Sequence, residues 1–276
     1  MPLLDLVTAW DAACAGGDGA IARFRSRHGT ILDRIERRVA PDRATLPFLA
    51  PGPSLTAAVG MAHDPAVLDA LEQTERAGTR LGADTTHTTV LLALEGSGES
   101  MMVLPGDPAL IVLVLTRLTD PLALQPAKLR GQALLTRWSA SESASLLKSA
   151  AGTPWEYWEL ARSVPLREWI YGSGVATHLV AAALPTLLPH QLLGCKRGEL
   201  ARLRERERTL RDLLSNELEH AGLGPMLRWL TPDTPPGLRT TPTHVIPPGA
   251  GAYLAWRMTA DRVGRVGVRE ALRLTA

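Results

Sequence analysis

Cysteine is nearly absent: Cys14 and Cys195 are the only two in 276 residues. They lie far apart, with no Cys-x-x-Cys pair or Cys/His cluster near either, which argues against a disulfide framework and a thiolate zinc site and suits a reducing, cytoplasmic setting. Lysine is scarce too, with Lys128, Lys148 and Lys196 among thirty basic residues, so the chain is arginine-rich. No uncharged apolar run reaches the roughly 18 to 20 residues of a membrane span. The most apolar stretch, residues 174–188, is interrupted by His178 and Pro185 and suits a buried core helix. The opening residues lack a basic segment and carry Asp5 and Asp11 where a signal peptide is apolar. Charge of one sign is lacking as well: 30 basic against 28 acidic side chains leave a formal +2. That balance names no partner and does not favour nucleic acid.

What is present describes a globular chain. Apolar residues make up 45% and mean hydropathy is +0.02, which excludes a disordered or collagen-like polymer and fits one large domain or two small ones. Ile21, Phe24, Ile31, Leu32, Ile35 and Val39 recur at helical spacing, predicting an amphipathic helix over residues 20–39 with His28 on its apolar side. The prolines at 41, 47, 51 and 53 predict an irregular connection. Asp64 and Pro65 then open a helix over 65–77 that Gly78 and Gly82 end.

Residues 88–94, 100–104 and 109–115 read as strands of a small sheet, the last a continuous apolar run suited to a strand covered on both faces. Beyond residue 126 the pattern is helical, over 126–138, 141–150, 154–162, 165–184 and, as one charged helix, 198–220. A further short helix is expected at 226–230. Six prolines between 231 and 248 demand a non-helical connection before a terminal helix over 251–263. The expected class is α+β, predominantly helical, with residues 1–82 as an N-terminal helical region and 83–276 as the main domain, or with both in one domain.

Motifs for common chemistries are missing. There is no phosphate loop, no dinucleotide fingerprint and no G-x-S-x-G elbow. The metal helix H-E-x-x-H, in which two imidazoles one turn apart hold zinc and the glutamate activates water, is missing as well. Its nearest echo, Asn216-Glu217-Leu218-Glu219-His220, has asparagine at the first ligand.

Three segments nevertheless share an order with one family. Residues 129–138 (Leu-Arg-Gly-Gln-Ala-Leu-Leu-Thr-Arg-Trp) follow the small sheet; Gly172-Ser173-Gly174-Val175-Ala176-Thr177-His178-Leu179 come next; and Gly251-Ala252-Tyr253-Leu254-Ala255-Trp256-Arg257 close the chain. Together they resemble a bacterial family of predicted zinc-dependent peptidases of the zincin type. Its members carry H-E-x-x-H, a Ser-Glu-Gly-Leu-Ala helix with the third ligand, and a closing Gly-Tyr-x-x-Gly-Tyr helix. The resemblance implies a zincin-like domain and places Gly131 and Leu135 at the two histidines, Gln132 at the catalytic glutamate and Ser173 at the third ligand. None of these four can do the family's chemistry, because glycine and leucine offer no ligating atom, serine is a weak zinc ligand and an amide cannot take a proton from water.

The implied function is therefore that of a catalytically inactive, peptidase-like protein. It binds a peptide or protein partner in the former cleft, without cofactor or membrane association, through His178, Trp169, Tyr171, Tyr253 and Trp256. Two alternatives stand beside it. One is a working zinc peptidase with a non-standard site drawn from His178, Glu217 and His220. The other is a nucleic-acid-associated protein using Lys196 to Arg211, whose interleaved acids favour a solvated, internally paired face instead. The aromatic group Trp155, Tyr157, Trp158, Trp169 and Tyr171 reads as core packing or as a cleft wall.

Overall fold

The computed structural model describes residues 2–39, 46–83, 86–95, 100–118, 120–140, 162–231 and 245–276. The chain opens with a strand the sequence pattern did not announce, β1 (Leu3–Asp5), followed by α1 (Leu6–Ala15). Three residues are too few to show alternation, but Asp5 caps the helix through its carboxylate, which accepts from the Thr8 N–H at 3.0 Å. Helix α2 (Asp18–Val39) follows as expected. A second unannounced helix, α3 (Pro53–His63), begins on the last of the prolines read as an irregular connection. Proline there is a first-turn residue, where its missing N–H costs nothing. Helix α4 (Pro65–Arg80) is capped by Asp64 and passes through Gly78 before Gly82, at φ +86°, ends it.

The strands β2 (Thr88–Leu92), β3 (Met101–Leu104) and β4 (Leu110–Val114) lie where the apolar runs predict. They form one sheet with β1 in the order β1-β2-β4-β3, in which β1, β2 and β4 are parallel and β3 is antiparallel to β4. The sheet is buried on both faces, which explains its unalternating sequence. Val90, Leu92, Val112 and Val114 pack under α1 and α2, while Leu91, Ile111 and Leu113 pack under α3, α4 and α5 (Pro121–Ala140). Helix α5 starts five residues before Pro126, which the helix carries internally.

The remaining described elements are helical. Helix α6 (Leu166–Ala183) lies against α5 and against α11 (Ala250–Val266). Its Gly174 has no room for a side chain, since a Cβ there would stand 2.3 Å from the Ala255 carbonyl oxygen. A short α7 (Pro189–Leu192) precedes α8 (Arg197–Glu205) and α9 (Glu207–Ser215). The single charged helix expected over 198–220 is thus broken at Arg206, where φ −99° and ψ 6° end one helix and start the next. The break sets Glu207 in a new first turn, where the helix dipole favours an acid. Helices α10 (Leu223–Leu230) and α12 (Val268–Ala271) complete the described set. The helix expected over 141–150, and all but residue 162 of the one expected over 154–162, fall outside the described residues. The class is α+β, mostly helical around a small mixed sheet. Among the described residues no helix is long and apolar enough to cross a membrane.

Candidate functional site

Strand β3 is the sheet's edge. The Val114 N–H donates to the Ser100 carbonyl at 3.0 Å, so with Met102 opposite Val112 and Leu104 opposite Leu110, these positions turn their backbone groups toward β4. Alternation in an antiparallel ladder turns the N–H and C=O of Met101 and Val103 the other way. Among the described residues nothing takes up those groups.

Beside this edge lies a cavity of about 210 Å³. Met101, Met102, Val103 and Pro105 form one wall; Arg130, Leu134 and Trp138 of α5 form another. Trp169, Ser173 and Ala176 of α6 face it, and Arg38, Leu230 and Ala252 close it. The rings of Trp138 and Trp169 meet edge to face, with centroids 4.9 Å apart. The lining is chiefly apolar, with two guanidinium side chains and one hydroxyl, and no acidic residue among those described.

The positions singled out in the sequence separate here. Ser173 and Trp169 line the cavity. The three from α5 do not. Gly131 packs on the sheet, where an added Cβ would stand 2.7 Å from Cγ2 of Ile111. Gln132 is fully buried beside Gly78 of α4, and Leu135 joins the core beneath the sheet. The cavity-facing residues are Arg130, Leu134 and Trp138, a stripe at i, i+4 and i+8 along one helix face. Arg130 and Leu134 sit one position before the expected alignment.

The other candidate binding residues are engaged elsewhere. The Nε2 atom of His178 lies 3.0 Å from the Trp256 carbonyl. A carbonyl only accepts, so Nε2 carries the proton and Nδ1 is the free acceptor. Burial lowers the His178 pKa, partly offset by that carbonyl. Trp256 is half-buried against the core of α8 to α11. Tyr171 is buried between the guanidinium groups of Arg137, at 4.3 Å, and Arg262, at 4.8 Å, and its hydroxyl donates to the Ala271 carbonyl. Tyr253 is buried with its hydroxyl donating to Glu207. Trp155, Tyr157 and Trp158 lie outside the described residues.

The residues of the two alternatives are also committed. Glu217 accepts from Arg228 at 2.7 Å and from the Trp229 indole at 3.1 Å, tying α10 to the end of α9. His220 is exposed, and its carbonyl accepts from the Leu166 N–H. No three His, Cys, Asp or Glu side chains converge among the described residues. Nor do the cavity's own donors suit zinc: a guanidinium is cationic and leucine has no donor atom, leaving only the serine hydroxyl. On the charged segment from Lys196 to Arg211, Glu207 pairs with Arg211 at 2.9 Å and with Arg257 at 3.4 Å. Compared with protein-family models, curated proteins and solved structures, the chain matches none.

Proposed function

We propose that this chain is a zincin-like scaffold without the zinc-ligand set, and that it holds an extended segment of a peptide or protein partner along β3. The observation that carries the reading is the open edge: the outward N–H and C=O of Met101 and Val103 border a chiefly apolar cavity. An added strand satisfies such groups through its own backbone, while alternate side chains enter the adjoining pocket and supply selectivity. The order of the elements supports the scaffold, since the sheet is followed by α5 and then by α6, with Arg130, Leu134 and Ser173 on one cavity where a peptidase of that type has ligands. Catalysis is not part of the proposal, because neither Ser173 nor any other described lining residue provides a carboxylate or imidazole to activate water. A reducing cytoplasm suits the unpaired Cys14 and Cys195.

The test uses a fluorescein-labelled hexapeptide of alternating threonine and valine, followed by anisotropy. Val103→Pro removes the outward N–H without touching the bonds to β4, a replacement that an edge strand tolerates. Binding to the wild type and a loss of at least about tenfold in the variant, at a nearly unchanged melting temperature, are expected. Peptide-induced slowing of hydrogen exchange at Met101 and Val103 checks the same contact without a substitution. Equal affinity for both proteins, or protection confined to other amides, overturns the reading.

A further inference from the structure

We infer that the cavity beside β3 reads a carboxylate on the peptide it holds, with Arg130 as the anchor; this rests on the peptide-binding reading above. Arg130 is half-buried on α5 and lines the cavity. One of its N–H groups donates to the Leu192 carbonyl at the end of α7, and no Asp or Glu forms an ion pair with it among the described residues. That sets it apart from two other arginines withdrawn from solvent. Arg137 meets Glu168 at 2.7 Å, and Arg228 meets Glu217 at 2.7 Å.

A guanidinium has five N–H donors in a planar fork, and one carbonyl satisfies only one of them. Taking such a charge out of water is unfavourable unless an anion meets it, and burial accordingly pushes the Arg130 pKa down to about 10. No acidic residue lines the cavity among those described. The Trp138 and Trp169 pair supplies an apolar wall, beside which a charge-assisted hydrogen bond is less screened than in water. Carboxylate is the anion an unmodified peptide carries, either at its C-terminus or on an acidic side chain, and its two oxygens match the fork.

The experiment titrates the full chain with three fluorescein-labelled hexapeptides of alternating threonine and valine. The first ends in a free carboxylate, the second in an amide, and the third in an amide with glutamate replacing its fifth residue. Wild-type protein is expected to bind at least one carboxylate-bearing peptide about tenfold or more tightly than the neutral amide. The source of the carboxylate is assigned by which of the two gains. In Arg130→Met all three fall to the affinity of the neutral peptide, whereas Arg130→Lys retains part of the preference. Equal wild-type affinities for the three peptides overturn the inference and leave strand addition standing. Binding of none, the neutral peptide included, removes both. The wild-type comparison decides the matter even if the Arg130→Met chain does not fold.

Discussion

Tyr253, a candidate binding residue by sequence, has surroundings with a measurable signature. It is 1% exposed, and its hydroxyl donates to Glu207, which also accepts from Arg211. Burial, reinforced by the Glu207 hydrogen bond, pushes its pKa up to about 12. The Tyr253 hydroxyl is in turn the leading cause holding Glu207 below the ordinary carboxylate value. A tyrosine whose folded pKa lies above its unfolded value of 10.0 contributes stability that is complete below pH 10.0 and is lost as pH rises toward about 12. The wild-type urea midpoint should therefore fall across that window, and Tyr253→Phe should flatten the fall. Equal slopes for both proteins would refute the assignment. On the acid side the same pair works in reverse. Glu207 contributes stability above its ordinary 4.5 that disappears as pH drops through its lowered pKa.

Other single residues show what the sequence could and could not reveal. His178 on an apolar helix invited a ligand reading, yet the Trp256 carbonyl occupies one of its nitrogens. Nothing in the sequence distinguishes Arg130, because arginine is mostly exposed. Only the tertiary structure shows it facing a cavity whose described lining holds no acid.

At the scale of elements, α5 carries the sharpest lesson. Its existence was legible from apolar periodicity, but its phase was not. Without histidines to fix the alignment, Gly131 stood at a ligand position, whereas it is the contact glycine that lets α5 approach Ile111 of β4. One residue is about 100° of helix, enough to turn a cavity-facing position into the core. The two helices expected as one over 198–220 divide at Arg206, and no glycine or proline there announces it. The short β1 and the proline-started α3 lacked any run long enough to read.

The phase of α5 also decides how the proposed zincin-like scaffold is tested. Arg130 and Leu134 are one helical turn apart and share the cavity with Ser173. Arg130→His, Leu134→His and Ser173→Glu in one chain should create a site that holds about one zinc per molecule after dialysis. The corresponding set at Gly131, Leu135 and Ser173 should not, because a side chain at Gly131 meets the sheet. Metal content by mass spectrometry, with circular dichroism to confirm folding, compares the two. A folded first variant without zinc would count against the scaffold.

For the whole molecule, strands β2, β3 and β4, the mostly helical class and the core of α6 were legible because burial leaves its mark as apolar runs. The cavity was not, since it is assembled from β3, α5 and α6 together with single residues of α2, α10 and α11. How residues 1–82 relate to the rest was left open by the sequence, and a buried ion pair offers a way to ask. Lys128 of α5 is fully buried and lies 2.8 Å from Glu75 of α4, and His87, just before β2, approaches the same carboxylate oxygen at 3.5 Å. The Lys128 ammonium also donates to the Leu71 carbonyl, and burial lowers its pKa against the pull of Glu75.

Removing one partner of a buried pair strands the other charge and costs about 3–5 kcal/mol, whereas replacing both with apolar groups is nearly neutral. Lys128→Met should thus lower the unfolding free energy by about that amount, and Glu75→Leu added to it should recover most of the loss. Because the pair joins α4 to α5, the loss should shift one cooperative transition seen identically by far-ultraviolet dichroism and tryptophan fluorescence. Two transitions, with only one of them moved by Lys128→Met, would instead show that the N-terminal region unfolds as a unit of its own.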